Sequence, residues 1–227
     1  MTDRILISSQ TYQAMDYRIV NQLIHTLAEP PEGVQFGFNF TQTSVIDVGL
    51  AIAAKEFLEG PYDYFLSIDY DILFNPHNRP EYRWGTEIKR LLDSCKETGG
   101  LVGGPYLKRG RADQVCAVPL KPQEILIGPG GGISEVRYLP TGFTMVSREI
   151  MQAVADRSEL ARYDENTWIY PIFMPYCFTN EDGLREYLSI DFSFSQRVRE
   201  AGFKVYLDTR IILGHIGSTV YAAPVGY

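Results

Sequence analysis

The 227-residue sequence has few cysteines, few histidines and no long apolar run. Its three cysteines, Cys95, Cys116 and Cys177, are widely spaced and form no Cys-x-x-Cys pair, which argues against a disulfide framework or a cysteine-based zinc site. No apolar run reaches the roughly 18 residues of a membrane span, and the first residues lack the basic and apolar regions of a signal peptide. We therefore expect a cytoplasmic protein without a membrane span.

Positive charge is also scarce. The chain carries 21 Lys and Arg against 28 Asp and Glu, for a net charge of −7. We expect no nucleic-acid partner, because nonspecific binding to phosphates needs an excess of basic residues. An anionic ligand would have to be neutralised by a metal ion or by helix dipoles. The 45% hydrophobic and 22% charged residues are typical of a folded globular chain of one domain.

Apolar runs and helix-period patterns alternate through the first half, which predicts right-handed crossovers and a parallel sheet. The predicted strands of this half are 5–8, 34–40, 64–68 and 101–102, and the predicted helices are 13–28, 44–59 and 83–98. The second half is less regular, and residues 161–188 show no clear period. Its predicted strands are 142–146, 203–208 and 211–213, and its predicted helices are 148–155 and 189–201.

Two carboxylates, Asp69 and Asp71, follow directly after the third predicted strand. In open α/β sheets, ligands bind at the carboxyl ends of the strands. Two neighbouring carboxylates repel each other unless a cation neutralises them, and their oxygens suit Mg²⁺ or Mn²⁺. The motif alone fits a solvated turn equally well.

His215 and Asp191 are two further candidates. His215 ends an apolar run between two glycines, and a neutral imidazole suits Mn²⁺ beside carboxylates. Taken alone, a structural histidine bound to a backbone carbonyl is the simpler interpretation. Ser189 is a plausible N-cap, which places Asp191 in the first turn of a helix. Asp191 there either complements the helix dipole or acts as a general base at a pocket rim.

Four segments together resemble nucleotide-sugar-dependent glycosyltransferases of the GT-A fold, most closely the compact bacterial and viral members. They are the Asp-x-Asp after the third strand, residues 141–148, residues 189–209, and residues 213–217 around His215. The resemblance implies a single Rossmann-like α/β domain over 1–227, with a mainly parallel central sheet flanked by helices. Residues 1–105 would form the nucleotide-binding half, and residues 106–227 the acceptor-binding half.

The resemblance also implies roles for individual residues. Asp69, Asp71 and His215 would bind Mn²⁺ or Mg²⁺, and Asp191 would act as the catalytic base. The nucleotide would contact Asp69 and a second group of residues, which are Ser8, Ser9, Gln10, Thr11, Asn39 and Tyr70. The candidates for acceptor or phosphate binding are Tyr106, Lys108, Gly142 and Ser218. Arg109 could likewise reach phosphate or acceptor, but it is interpreted as part of an exposed basic loop.

The implied function is metal-dependent transfer of a sugar from a nucleotide-diphosphate sugar to a carbohydrate or other hydroxyl acceptor, with inversion at the anomeric carbon. The sequence departs from the family pattern at Gly49-Leu50, where many members have Arg-Asn, and at Ile190, where a Glu is usual. A phosphohydrolase of the haloacid dehalogenase type and a non-catalytic carbohydrate-binding domain remain alternatives.

Overall fold

The computed structural model of the protein describes residues 2–11, 14–74, 85–180, 182–217 and 219–222. The helices within these ranges are α1 (Tyr17–Ala28), α2 (Ile46–Glu59), α3 (Thr86–Thr98), α4 (Arg148–Ala155) and α5 (Ile190–Glu200). The strands are β1 (Asp3–Thr11), β2 (Val34–Gln42), β3 (Tyr64–Ile68), β4 (Ile72–Leu73), β5 (Leu101–Gly103), β6 (Leu107–Lys108), β7 (Arg111–Val115), β8 (Val118–Pro119), β9 (Ile133–Tyr138), β10 (Phe143–Ser147), β11 (Ala161–Arg162), β12 (Trp168–Ile169), β13 (Tyr176–Thr179), β14 (Arg185–Leu188), β15 (Val205–Asp208), β16 (Gly214–Ile216) and β17 (Val220–Ala222).

Eight of these strands form a central sheet in the order β2-β1-β3-β10-β5-β15-β9-β8. Its first three strands are parallel, as are β5 and β15, whereas β9 and β10 run against their neighbours. Six strands therefore point in one direction. The predicted fold class, a single α/β domain with a mainly parallel central sheet flanked by helices, is confirmed.

The sheet is buried on both faces because its inner strands are apolar at consecutive positions. On one face, Leu6 and Phe65 pack in a cluster that includes side chains of α2, α4 and α5. On the other face, Ile5, Ile7 and Leu66 pack in a cluster that includes side chains of α1 and α3. The apolar stretches end at the carboxyl ends of β1 and β3, where polar residues take over.

Three sequence predictions differ from the structure. The strand predicted at 211–213 is a non-strand segment, although all three side chains are buried: its apolar residues fill the core rather than pair in a sheet. In the stripe predicted for the first helix, Leu27 is 38% exposed, whereas Ile19 and Leu23 are buried. The segment 161–188 forms two hairpins, β11–β12 and β13–β14.

A second, three-stranded sheet in the order β17-β16-β4 lies beside the end of β3. β4 begins four residues after β3, and it pairs with β16 so that Ile72 is opposite His215. This small sheet positions the chain near its carboxyl end against the residues that follow β3. Among the described residues, no helix combines the length and apolar character that crossing a bilayer requires.

Candidate active site at the carboxyl ends of the central strands

Asp69 and Asp71 lie in a tight turn between β3 and β4. The backbone N–H of Asp69 donates to the carbonyl of Gly142 (2.9 Å), and the N–H of Ile72 donates to the carbonyl of Asp69 (3.1 Å). Asp71 is only 6% exposed, whereas Asp69 and the intervening Tyr70 are partly buried. A carboxylate as buried as that of Asp71 requires a cationic partner or hydrogen-bond donors.

His215 lies beside Asp71 because β16 pairs with β4. The N–H of Ile216 donates to the carbonyl of Asp71 (2.8 Å). This bond brings the Nε2 atom of His215 to 3.5 Å from the Oδ2 atom of Asp71. Two of the three predicted metal ligands, far apart in the sequence, are therefore adjacent; their role as ligands stays a prediction.

Hydrogen bonds define the tautomer of His215. Nε2 accepts a hydrogen bond from Nε–H of Arg109 (3.1 Å), and a guanidinium can only donate. The proton of the neutral ring is therefore on Nδ1, which lies 2.8 Å from the carbonyl oxygen of Leu107 and donates to it. Burial lowers the pKa of His215, which favours this neutral form. A lone pair on Nε2 directed into the site is what a metal-binding histidine needs.

Arg109 lies between the two candidate ligands. Its Nη2 atom forms an ion pair with Oδ2 of Asp71, and its Nε–H donates to His215. It is located in the turn between β6 and β7, followed by Gly110, whose φ of 73° lies in the left-handed region that favours glycine. The interpretation of Arg109 as part of an exposed loop is incomplete, since its half-exposed side chain closes the acidic site.

Asp69 and Asp191 are electrostatically coupled. Desolvation by burial, followed by the nearby Asp191 carboxylate, raises the pKa of Asp69 to about 6, while His215 and Arg109 act in the opposite direction. Asp191 lies in the first turn of α5, as predicted, and desolvation raises its pKa although the residue is exposed at the rim. Ser189 is the N-cap residue of α5, as predicted, but its side chain donates to Oδ2 of Asp191 at 3.4 Å instead of accepting from a helix N–H. Asp191 is thus close enough to Asp69 for its charge to raise the pKa of that carboxyl.

Tyr106 and Gly142 complete the wall around Asp69. The buried Tyr106 ring meets the His215 ring edge-on, with 5.2 Å between centroids. A Cβ atom at Gly142 would overlap the Tyr106 hydroxyl and would lie 2.8 Å from Oδ2 of Asp69. The close approach of these groups therefore requires glycine at position 142.

Buried hydroxyl and amide groups line the ends of β1 and β3. Ser8, Ser9, Gln10 and Thr11 are all buried, and Nε2 of Gln10 donates to Oγ of Ser8 (2.6 Å). Three nearby polar atoms have no hydrogen-bond partner among the described residues: Oγ of Ser9, Oε1 of Gln10 and Oγ of Ser67. Buried polar atoms are normally bonded. The atoms of Gln10 and Ser67 lie on one face of the sheet, whereas Ser9, between Ser8 and Gln10 on β1, faces the other side.

Two residues of this polar surface were missed in the sequence. Ser67 is opposite Ser8 on β1 and opposite Thr144 on β10, so the three residues form a polar row across the sheet. Their signal is weak, because each interrupts an otherwise apolar strand at a single position. It becomes clear only once the order of the strands is known.

The remaining predicted residues are less clearly placed. The amide of Asn39 is engaged by two side chains: it donates to Glu56 (2.5 Å) and accepts from Thr41 (2.9 Å). Contact with a nucleotide base would require these bonds to change. Lys108 is exposed at the start of the β6–β7 turn. Ser218 lies outside the described residues.

The candidate side chains are of the types that bind a hard divalent cation, and two of them, Asp71 and His215, also lie next to each other. Across the described ranges, no group of three or more His, Cys, Asp and Glu residues is arranged to hold a metal ion. Asp71 and His215 nevertheless direct a carboxylate oxygen and a neutral imidazole nitrogen at one region, where Arg109 now lies. Oxygen and imidazole donors suit Mn²⁺, and carboxylates suit Mg²⁺.

Comparison with known proteins extends the description of the fold. No protein-family model and no curated protein matches the chain. Among solved structures, A197 from STIV is similar over 99% of this chain and 98% of its own, with a TM-score of 0.57 and 13% identity. This similarity shows a shared fold and nothing further.

Two weaker similarities are to UDP-glucose pyrophosphorylase complexed with UDP-glucose and to UTP-bound UGPase from Acinetobacter baumannii. The first has a TM-score of 0.49 and 9% identity, and it covers 92% of this chain and 90% of the other. The second has a TM-score of 0.44 and 10% identity, and it covers 92% of this chain and 86% of the other. At these values, neither similarity supports an inference about this chain.

Proposed function

We propose that the protein is a metal-dependent glycosyltransferase of the GT-A type that uses a nucleotide-diphosphate sugar. The observation that carries this proposal is that Asp71 lies beside His215, while Asp69, in the same turn after β3, is close enough to Asp191 for that carboxylate to raise its pKa. Such strand ends are where open α/β sheets bind their ligands. Oε1 of Gln10 and Oγ of Ser67, buried atoms without a partner among the described residues, would hydrogen-bond the nucleotide at this edge.

The donor would be held by the metal site and by the polar ends of β1 and β3. Asp71 and His215 would hold the divalent cation, with Asp69 beside them, close to the walls formed by Tyr106 and Gly142. When bound, the metal supplies Lewis-acid neutralisation of the charge that develops on the diphosphate leaving group. With a net charge of −7 the protein has few basic residues for that task.

Asp191 would remove the proton of the acceptor hydroxyl. Its exposed position at the start of α5 leaves it accessible to an incoming acceptor, and desolvation makes the carboxylate a stronger base than an ordinary aspartate. General-base help of this kind contributes about 10²–10⁴-fold. Attack from the side opposite the diphosphate would invert the anomeric carbon.

Aromatic and polar side chains close to α5 suit a carbohydrate acceptor. The ring of Phe192, the residue after Asp191, stacks on Tyr138 with 5.8 Å between centroids. A cavity of about 280 Å³ adjoins Tyr138; it is also lined by Phe178 and by charged side chains that include Arg137, Glu186 and Arg199. Flat rings can pack against a sugar, and charged side chains can hydrogen-bond its hydroxyls.

A donor panel tests the proposed function. UDP-, GDP- and dTDP-sugars are assayed for Mn²⁺-dependent hydrolysis and for an increase in Tm, with wild-type protein and the Asp191→Asn variant. We expect one donor to stabilise both proteins, and the variant to lose at least about 10²-fold in transfer once an acceptor is found. Equal transfer by the variant would exclude Asp191 as the base. Metal-dependent release of phosphate from a phosphomonoester, without any donor binding, would favour a phosphohydrolase instead.

A further inference from the structure

Arg109 is the cation that neutralises the candidate metal site in this structure. Its guanidinium makes an ion pair with Asp71 through Nη2 and donates to Nε2 of His215 through Nε. These are the two atoms that the proposed function assigns to the divalent cation. One guanidinium therefore uses the carboxylate oxygen and the imidazole lone pair at the same time.

The guanidinium of Arg109 and the proposed divalent cation cannot occupy the site at the same time. Oδ2 of Asp71 is the atom that faces both Arg109 and His215, and the carboxyl is almost fully buried. A metal ion bound by this oxygen and by His215 would have to occupy the volume that the guanidinium fills. The electrostatic repulsion between a guanidinium and a divalent cation at contact distance adds to this steric conflict.

The side chain of Arg109 is placed so that it can move out of the site. It lies in the turn of a short hairpin, its side chain is 50% exposed, and its stem passes over Gly217, where a Cβ would lie 3.3 Å from Cδ of Arg109. Side chains of this exposure change rotamer rapidly and without movement of the backbone. The buried Asp71, next to β4, and the partly buried His215 on β16 are by contrast held in place by the pairing of these two strands.

We propose that Arg109 is an exchangeable counter-ion of the active site: it holds Asp71 and His215 in the metal-free protein, and it is displaced by the divalent cation to pair with the donor's diphosphate. This inference rests on the proposed function. A guanidinium is well suited to phosphate oxygens, which it binds through two parallel hydrogen bonds. Metal and diphosphate should consequently bind cooperatively, because the metal releases Arg109 and the diphosphate gives it a new partner.

The test measures Mn²⁺ binding by calorimetry, first without any nucleotide. The variants are Arg109→Gln, which removes the charge, and Arg109→Lys, which keeps the charge but loses the forked geometry. Arg111→Gln, an exposed arginine of the same hairpin, is the matched control. We expect Arg109→Gln to bind Mn²⁺ about tenfold more tightly than wild type, Arg109→Lys to lie between them, and Arg111→Gln to equal wild type.

The second arm measures UDP binding with and without saturating Mn²⁺. Wild type should bind UDP at least about tenfold more tightly with Mn²⁺, and this ratio should be smaller for Arg109→Gln, which keeps the attraction between metal and diphosphate but lacks the exchange of Arg109. Circular dichroism checks that each variant has the wild-type fold and Tm. Equal Mn²⁺ affinity in wild type and Arg109→Gln would contradict the proposal that the metal displaces Arg109, and it would leave the proposed function unaffected. Absence of Mn²⁺ binding by both proteins would overturn the exchange together with the metal site.

Discussion

Glu87 is the most deeply buried acidic side chain of α3, with 2% of its surface exposed. Its Oε2 atom lies 3.4 Å from Nη1 of Arg90, and it accepts a backbone hydrogen bond from Ile212. These contacts do not offset the cost of burial, which raises the pKa of Glu87 to about 7 from an ordinary value of 4.5. The group therefore makes the stability of the protein dependent on pH.

The direction of this dependence follows from proton binding. Between about pH 4.5 and 7, the folded protein keeps a proton on Glu87 that the unfolded chain has lost, so the free energy of unfolding falls as pH rises. Glu87→Gln removes this contribution. We expect wild type to lose on the order of 1–3 kcal/mol relative to the variant between about pH 4.5 and 8, measured by urea unfolding.

Glu59→Gln is the control for this comparison, because Glu59 is exposed on α2 and forms a surface ion pair with Lys55. As a substitution at an exposed position, it should change the free energy of unfolding by less than about 0.5 kcal/mol. A constant difference for Glu87→Gln over the same pH range would show that Glu87 ionises normally in the folded protein.

Single residues also show where sequence reasoning succeeds. Asp69, Asp71 and His215 were chosen because of their side chains and because they follow apolar segments, and strand pairing does place Asp71 beside His215. The pairing of Arg109 with Asp71 could not be predicted, since nothing in a basic loop indicates which carboxylate it faces. The number of basic residues can be counted in the sequence, but the fold determines which carboxylate each of them pairs with.

At the level of elements, α2 depends on a residue from α4. Helix α2 has no basic residue in its last turn, and its C-terminal carbonyls need donors. Arg148, the first residue of α4, supplies them, with its guanidinium 4.8 Å from the ring centroid of Phe57. It donates at 2.6–2.9 Å to the carbonyls of Phe57, Leu58, Gly60 and Tyr62.

Arg148→Lys should therefore destabilise the protein although it keeps the charge. A lysine ammonium cannot reproduce the planar set of donors, so carbonyls at the end of α2 would be left without partners. We expect a loss of about 2–3 kcal/mol in the free energy of unfolding, measured by urea denaturation. Arg162→Lys, an exposed position with local hydrogen bonds only, should change stability by less than about 0.5 kcal/mol. Similar small effects of both variants would contradict the role of Arg148.

Most helices and strands could be predicted from the sequence, whereas the order of the strands in the sheet could not. Residues 64–68 and 148–155 match β3 and α4, because period and breakers are local signals. The insertion of β10 between β3 and β5, antiparallel to both, has no local signal. It is this insertion that brings Thr144 and Gly142 next to the acidic turn. The sequence therefore indicates candidate residues, including Gly142, but not the strand order that places them around the acidic turn, and their roles stay predictions.

On the scale of the whole molecule, one edge of the central sheet is poorly protected. The outermost strand β2 contains no charged residue and no proline, and among the described residues only β1 pairs with it. Phe38 and Phe40, 39% and 47% exposed, stack on one face of this strand. Most proteins place charges, prolines or bulges on long edge strands to prevent pairing with another chain.

The net charge of −7 is the feature that opposes such pairing, since like-charged copies repel each other. Salt screens this repulsion but leaves the apolar edge unchanged. We expect the average mass measured by light scattering to rise with protein concentration, and to rise more steeply at about 0.5 M NaCl than at low salt. Phe40→Lys should suppress this rise.

The control separates the position of the new charge from its sign. Tyr187→Lys introduces the same charge at an exposed aromatic residue of the β13–β14 hairpin, away from β2. A charge on the edge strand should block pairing even though it brings the net charge closer to zero, whereas the same charge on the hairpin should slightly increase association. If both variants associate equally, or if salt reduces association of the wild type, charge attraction rather than the β2 edge brings the copies together.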